Sequence, residues 1–231
     1  MLCNLYANQF EIKKSRIKTC TKTKTLMCGI AGIRGKDAVA RVKKLLPLVS
    51  HRGPDGEGVW SKCSYFALGH RRLAINDLSS SGKQPMVSAD GRIVIVVNGE
   101  IYNYRELRES LEKLGAKFNS SSDSEVVLHA WNYWGKDCFT KLNGMFALAI
   151  YDCTNDLLVL ARDRLGIKPL YYSCTDHNFV FASEIKAVVA RLTGSTPKID
   201  PTGLNQYLTY QNYFGSRTLY EGIKLLEPGH C

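Results

Sequence analysis

The sequence predicts an α+β fold in which two antiparallel sheets are stacked between layers of helices, an αββα sandwich. Two observations predict it: apolar strands come in pairs joined by short turns, and the helical segments come in separate groups. Strands joined by short turns must pair antiparallel, because a parallel connection needs a crossover of a dozen or more residues. This segregation of strands and helices is typical of sheets covered by helical layers and not of a doubly wound parallel sheet.

The elements of the first half follow from periodicity and from chain breakers. Residues 28–34 predict a strand, and apolar residues at helical spacing predict a helix over 38–49. The breaker-rich run 51–56 predicts a loop. Further strands are expected over 58–61, 65–70, 73–76 and 92–97, followed by a helix over 104–115. The β-branched run 92–97 is typical of a strand buried on both faces, and Asn98-Gly99 is expected to close it.

The second half predicts one capped helix and two hairpins. Ser122 and Glu125 form a capping-box pattern, which starts a helix that ends near Trp134. Paired strands are expected over 145–152 and 157–163 and again over 170–173 and 179–182, with helices over 184–192 and 201–210. The last residues do not resemble the close of a domain. We therefore predict an N-terminal extension over 1–27, one domain over 28–210 and a truncated linker over 211–231.

The net charge of +10 suggests a nucleic-acid partner, but its distribution argues against one. Residues 1–27 carry +5 of this charge, and residues 28–231 carry the other +5. In the longer part the charges alternate in sign and form no basic stripe with interleaved aromatic residues. The sequence therefore predicts no nucleic-acid partner.

Eight cysteines are present without any C-x-x-C pair or clustered histidines, so the spacing of a zinc site is absent. No stretch reaches the length of a transmembrane helix, and the start of the chain lacks the apolar core of a secretory signal. We therefore predict a cytoplasmic protein with no metal site and no membrane contact, whose thiols stay reduced.

Cys28 follows Met27 and opens an apolar run, a position with chemical consequences. If the chain is trimmed after Met27, thiol and free α-amine belong to one residue. An α-amine has a reference pKa of about 8, so much of it is unprotonated near neutral pH and can accept the proton of a thiol. Such a chain start can carry out acyl transfer without a histidine.

Three interpretations of residues 1–27 remain open: a removable propeptide, a transit-like leader, or upstream sequence read from a start site placed too early. A transit peptide would favour arginine over lysine, so that interpretation is the weakest. The misplaced start is favoured, because Met27 stands before a small residue, the context in which an initiator methionine is trimmed.

Seven runs, in order, carry a resemblance to a known family: Met27–Gly32, His51–Gly56, Gly69–Ile75, Gln84–Met86, Asn98–Tyr104, Ser122–Val126 and Arg162–Tyr172. Together they resemble the glutaminase domain of asparagine synthetase, a class II glutamine amidotransferase of the N-terminal-nucleophile (Ntn) hydrolase type. The resemblance covers residues 27–231. It implies an Ntn-type αββα sandwich and a cysteine amidohydrolase that takes L-glutamine.

The resemblance implies a catalytic role for three residues. The Cys28 thiolate would attack the side-chain amide of glutamine, with its own α-amine as the base. Asn98 and the Gly99 backbone N–H would form the oxyanion hole. Considered in isolation, the dipeptide Asn98-Gly99 is the commonest sequence signal for a hairpin turn. Here, however, a helix follows it instead of a partner strand.

The resemblance also assigns the substrate contacts. Arg72 would bind the α-carboxylate of glutamine, since its planar fork suits a carboxylate, and strand alternation sends Arg71 to the opposite face. Asp123 would hold the α-ammonium group, although the first turn of a helix favours a carboxylate in any case. The remaining predicted contacts are the pocket wall Leu73, Ala74, Ile75 and Asn76, and Glu100 beside the substrate amide. Residues 162–172 are interpreted as mainly structural.

The chain departs from the family in one respect, because it lacks the Ser-Gly-Gly-x-Asp-Ser loop with which the family's second domain binds ATP. The resemblance therefore implies no cofactor in this chain, with ATP and Mg²⁺ on an absent synthetase domain supplied in cis or in trans. A homodimer remains open. The alternatives are a non-catalytic regulatory or interaction module in which Cys28 is blocked, and an unstable fragment of a split or decayed gene.

Overall fold

A computed structural model describes residues 27–75, 77–190 and 197–231. The ten strands of this part are β1 (Gly29–Arg34), β2 (Gly56–Cys63), β3 (Phe66–Arg72), β4 (Met86–Val87), β5 (Ile93–Ile101), β6 (Gly144–Asp152), β7 (Leu157–Arg162), β8 (Tyr171–Thr175), β9 (Asn178–Ala182) and β10 (Ile223–Leu225). The α-helices are α1 (Ala38–Leu45), α2 (Tyr104–Lys113), α3 (Asp123–Trp134), α4 (Cys138–Lys141), α5 (Ile185–Val189) and α6 (Pro201–Tyr210). None of these helices is long and apolar enough to cross a membrane.

The strands form two sheets, and every recorded strand pair is antiparallel. One sheet has six strands in the order β10-β8-β9-β1-β3-β2, and the other has four in the order β4-β5-β6-β7. The two predicted hairpins are β6–β7 and β8–β9. The prediction of antiparallel sheets is therefore confirmed.

Three apolar clusters define four layers. The first lies between α2, α3 and the four-stranded sheet, and the second between α1, α5 and the six-stranded sheet. The third lies between the sheets, where Leu68 of β3 meets Val94 and Val96 of β5. Because β5 contributes alternate residues to two clusters, it is buried on both faces, as its β-branched sequence predicts. The αββα arrangement is confirmed.

The predicted strand over 73–76 is wrong for residues 73–75, and Asn76 lies outside the described residues. β3 ends at Arg72, and the next two backbone N–H groups donate to side chains and not to a neighbouring strand. The Leu73 N–H donates to Cys28 Sγ, and the Ala74 N–H donates to Asp55 Oδ2 at 2.9 Å. These bonds hold the segment in an irregular conformation across the end of β1.

The prediction that Asn98-Gly99 closes its strand is also wrong. β5 continues to Ile101, and Asn98 and Gly99 pair with Ala147 and Phe146 of β6. A partner strand whose paired residues lie 47 and 49 positions away in the sequence thus overrides a local turn signal.

Two further boundaries differ. The helix expected over 184–192 is the shorter α5, and its predicted end, Leu192, lies outside the described residues. The linker expected over 211–231 contains β10, which pairs with β8 and buries Ile223 to 2% exposure. The six-stranded sheet therefore takes an edge strand from beyond residue 210, the predicted domain end.

Candidate active site

A cavity of about 130 Å³ opens between the ends of β1, β3 and β5 and the start of α3. It is lined by nine of the predicted site residues: Cys28, Arg72, Leu73, Ala74, Ile75, Asn98, Gly99, Glu100 and Asp123. The tenth, Asn76, lies outside the described residues. The fold therefore assembles the predicted residues from segments up to 95 positions apart in the chain.

Cys28 immediately precedes β1, and its thiol contacts the irregular segment that follows β3. Its Sγ accepts a hydrogen bond from the Leu73 N–H at 3.3 Å. Burial raises the pKa of this thiol, while the Leu73 hydrogen bond and the positive charge of Arg72 oppose the rise. The thiol is therefore mostly protonated near neutral pH and needs a base before it can attack a substrate.

Met27 occupies one side of the same cavity and is joined to Cys28 by a peptide bond. Its N–H donates to the Arg52 carbonyl at 3.0 Å, and its sulfur lies 2.7 Å from Lys168 Nζ. While this peptide bond is intact, the nitrogen of Cys28 is an amide nitrogen and cannot act as a base. The chemistry that the sequence predicts at Cys28 thus requires the loss of Met27.

Arg52, from the loop after α1, holds the main chain at Cys28. Its Nε donates to the Cys28 carbonyl at 3.0 Å, and its Nη1 lies 3.1 Å from Glu184 Oε1. Glu184 also pairs with His51 and Lys186. The loop 51–56 therefore fixes the position of Cys28, a role that its breaker-rich sequence does not reveal.

Asn98 is fully buried, and both atoms of its side-chain amide lack a hydrogen-bond partner among the described residues. Leaving a buried polar group unpaired costs about 1–3 kcal/mol, so such a group needs an explanation such as a ligand. Next to it, a Cβ at Gly99 would lie 2.0 Å from the Met145 carbonyl oxygen. Only glycine therefore fits this position, where the cavity meets the backbone of β5.

Arg72 and Asp123 bring opposite charges to the cavity. Arg72 donates to the carbonyls of Ser79, at 2.8 Å, and Asp77. Asp123, the first residue of α3, is 5% exposed and accepts the Ile101 N–H through Oδ2 at 2.8 Å. Arg71 instead pairs with Glu57 on the opposite face, as strand alternation predicts.

Two further cavity residues escape prediction from the sequence. Gln84 is 8% exposed and hydrogen-bonds with β5 and with α3. Lys168 is 4% exposed, and burial, followed by the positive charge of Arg52, lowers the pKa of its ammonium group. Lys168 belongs to the segment interpreted as mainly structural, and Gln84 belongs to the run Gln84–Met86, to which the sequence alone assigns no role.

The rest of that segment does have a structural role. The Arg162 guanidinium donates to the carbonyls of Lys168, Gly166 and Leu226 at 2.6–2.8 Å. The Asp163 carboxylate accepts four backbone N–H groups, those of Phe146, Leu165, Ile167 and Lys168. These bonds order the turn that carries Lys168 into the cavity.

Comparison with known proteins agrees with this geometry. A family model of the glutamine amidotransferase domain matches residues 27–231. Asparagine synthetase (glutamine-hydrolyzing) 3 of Bacillus subtilis (strain 168) is 38% identical over 219 residues, which cover 89% of this chain and 34% of that protein. Putative asparagine synthetase (glutamine-hydrolyzing) 2 of Methanocaldococcus jannaschii is 42% identical over 184 residues, which cover 71% of this chain and 35% of that protein.

The fold also matches a solved structure, the glutamine phosphoribosylpyrophosphate amidotransferase of Bacillus subtilis in complex with ADP and GMP. The TM-score is 0.61 at 25% identity, over 69% of this chain and 42% of that chain. The predicted Ntn-type fold is thereby confirmed. This chain spans about a third of the length of the curated relatives that it matches. By its family match and its relatives, the chain belongs to the glutamine amidotransferase domains of asparagine synthetase-like proteins.

Proposed function

We propose that this cavity hydrolyses L-glutamine to glutamate and ammonia through a thioester on Cys28. One observation carries the proposal. The thiol, the unpaired Asn98 amide and the opposite charges of Arg72 and Asp123 line one cavity. An amidase for a free amino acid needs these three elements: a nucleophile, a donor for the oxyanion, and groups that bind both charges of the zwitterion.

In the proposed reaction the α-amine of Cys28, once freed from Met27, takes the thiol proton. The thiolate attacks the side-chain carbonyl carbon of glutamine, and the resulting oxyanion accepts hydrogen bonds from Asn98 Nδ2 and the Gly99 N–H. When the C–N bond breaks, the ammonium of Cys28 gives its proton to the leaving nitrogen, and ammonia departs. Water then attacks the thioester, and glutamate is released.

Substrate recognition follows from charge. The α-carboxylate binds Arg72, and the α-ammonium binds Asp123 through Oδ1, which accepts no hydrogen bond from the described residues. Leu73, Ala74 and Ile75 form the wall beside the substrate chain, and Glu100 contacts the departing amide nitrogen. A simple amide lacks both charges, so it would be a poorer substrate than glutamine.

The relatives' threefold greater length supports a wider assembly. Ammonia would pass to a synthetase domain, in cis or in trans, where ATP and Mg²⁺ activate aspartate. This chain would itself need no cofactor. The working protein would be cytoplasmic, and a homodimer is compatible with this arrangement.

The test is steady-state ammonia release from glutamine by a chain initiated at Met27, with the mass of its N-terminus determined first. A chain that begins with Cys28 is expected to release ammonia and glutamate in equal amounts, and its Cys28→Ala variant to release neither above background. Equal rates for the two proteins would refute the proposal.

The position of Met27 favours a second candidate for the full 231-residue chain, a latent form without activity. Met27 lies in the cavity and engages Arg52 and Lys168, so an uncut chain has both a blocked base and a narrowed site. The full chain should then release no ammonia until cleavage after Met27. Full activity with the intact mass would exclude the latent form and the proposed base together.

A further inference from the structure

Val97 precedes Asn98 on β5, and side chains instead of a neighbouring strand hold both of its backbone polar groups. Its N–H donates to Gln84 Oε1 at 2.6 Å, and its carbonyl lies 3.3 Å from His70 Nε2. The short strand β4 pairs only with Val94 and Ile95, so the ladder on that edge of β5 stops before Val97. Two side chains therefore complete the ladder at the residue before Asn98.

His70 suits this task at every working pH. It is fully buried, and burial lowers its pKa to about 3, against a smaller opposing effect of the Val97 carbonyl. The imidazole is therefore neutral, and in the tautomer with a proton on Nε2 it donates to that carbonyl.

Gln84 joins this peptide to the other side of the cavity. Its Nε2 donates to Ser124 Oγ at 3.2 Å, and Ser124 follows Asp123 in the first turn of α3. Its own main chain is held against β2, where a Cβ at Gly58 would lie 2.0 Å from the Gln84 carbonyl oxygen. One buried amide thus spans the strand that carries Asn98 and the helix that carries Asp123.

Among the described residues the Asn98 side chain has no hydrogen-bond partner to set its position, so its placement depends on the backbone of β5. Pairing with β6 fixes one edge of that strand at Asn98, and the Val97 peptide is the nearest point held on the other edge. A displacement of about 1 Å in a catalytic group can cost on the order of 10²-fold in rate. A fixed Val97 peptide therefore keeps the Asn98 amide in the position that an oxyanion donor requires.

We propose that Gln84 is a positioning residue of the glutamine site, which sets the place of Asn98 through the Val97 N–H and couples it to the start of α3. The inference rests on the proposed function. A primary amide suits both bonds because it offers an acceptor and two donors, whereas a methionine of similar length offers no donor and only a weak thioether acceptor.

The test is a double-mutant cycle in the chain initiated at Met27, which contains every described element. Gln84→Met is expected to lower kcat for glutamine by about 10-fold or more, with a smaller change in KM, because Asn98 acts on the transition state. In an Asn98→Ala background the same change should cost less than about 2-fold, because the group that Gln84 positions is absent. Single-turnover ammonia release at excess enzyme measures the rate loss caused by Gln84→Met in both backgrounds.

Two companion variants separate positioning from general damage. Ser124→Ala removes only the anchor of the Gln84 amide, and its smaller loss of kcat should also vanish in the Asn98→Ala background. Thr218→Val removes a buried hydroxyl that hydrogen-bonds with Tyr220 and Ile223, away from the cavity. It should lower the unfolding temperature and leave kcat unchanged.

Each outcome of these experiments either supports or overturns the inference. Losses that vanish without Asn98 support the inference. Equal losses with and without Asn98, or an unchanged kcat in Gln84→Met, overturn it while the proposed function stands. If Gln84→Met does not fold, the Ser124→Ala cycle decides by the same criterion. An inactive parent chain that begins with Cys28 overturns the proposed function and this inference with it.

Discussion

At the scale of single residues, the buried polar groups divide into those that complete the fold and those that the fold leaves unpaired. Arg162 and Asp163 are buried, and their side chains form hydrogen bonds with backbone groups. Asn98 is as buried and has none among the described residues. Because an unpaired buried amide destabilises the native state, Asn98 is better explained by a ligand than by folding.

This contrast predicts opposite effects of one substitution on activity and stability. Asn98→Ala should lower kcat for glutamine by about 10²–10³-fold, the usual cost of losing one oxyanion donor. Its free energy of unfolding should stay equal or rise, because the variant removes an unpaired buried group. Steady-state kinetics and urea unfolding measure the two effects; a large loss of stability would show that the amide has a structural partner.

The adjacent arginines allow a matched test of substrate binding. Arg72→Met should raise KM for glutamine by about 30-fold or more, the usual penalty for leaving a buried charge unpaired. Arg71→Met should leave KM within about 2-fold, because Arg71 pairs with Glu57 on the opposite face and does not line the cavity. Similar KM values for both variants would remove Arg72 from the proposed carboxylate site.

At the scale of elements, α3 shows how local capping serves the site. Ser122 caps the helix through the Ser124 N–H, as predicted, but Glu125 does not return to Ser122 as a capping box requires. Its carboxylate accepts the N–H groups of Asn119 and Ser120 instead. The incoming chain is thereby tied to the helix that presents Asp123.

The same carboxylate predicts how stability depends on pH. Burial opposes the charged form of Glu125, but the His129 ring, whose Nε2 lies 3.6 Å from Oε1, and hydrogen bonds from Ser120 and Asn119 outweigh it and lower its pKa to about 2. A depressed pKa contributes stability above the unfolded value of 4.5, and this contribution is lost as the pH falls from about 4.5 towards about 2. Glu125→Gln should therefore lower the unfolding temperature at pH 7 but hardly at pH 2.

Glu109→Gln on the exposed face of α2 serves as the control, because its carboxylate has no recorded partner in the described structure. Its unfolding temperature should follow that of the parent at every pH. A Glu125→Gln deficit that persists unchanged at pH 2 would contradict the assignment to the charged carboxylate.

At the scale of the whole molecule, the six-stranded sheet extends beyond the boundary expected from the sequence. β10 lies at the edge of this sheet, against β8. The main chain that follows β10 hydrogen-bonds with Arg162 and Asp163, at the start of the turn that carries Lys168. The segment after 210 therefore contributes to the fold that positions the cavity.

Ile223→Ala tests this contribution. Ile223 is 2% exposed, so its truncation should lower the free energy of unfolding by about 2–5 kcal/mol. Leu208→Ala on α6 is the matched control, because Leu208 is 72% exposed and such surface changes usually stay within about 0.5 kcal/mol. Chemical unfolding of both variants measures the difference; equal losses would make residues 211–231 a linker after all.

Much of the fold is predictable because its signals are local. The hairpin β6–β7, the cap at Ser122 and the helix from Pro201 follow from turn residues, caps and periodicity within a few positions. The errors at Leu73–Ile75 and Asn98-Gly99 share one cause. In both places a distant partner, Cys28 or β6, takes the backbone hydrogen bonds that the local pattern assigns elsewhere.

The sequence by itself determined which reactive and charged groups are present. These are a thiol one residue after a methionine, an asparagine beside a glycine, and opposite charges on a strand and at the start of a helix. These are properties of residue type and immediate neighbours. Only the tertiary structure decided that they share one cavity, that the Asn98 amide has no partner in the described part of the chain, and that Gln84, Arg52 and Lys168 belong beside them. Distances and burial arise when segments far apart in the chain pack together, and no short stretch of sequence contains them.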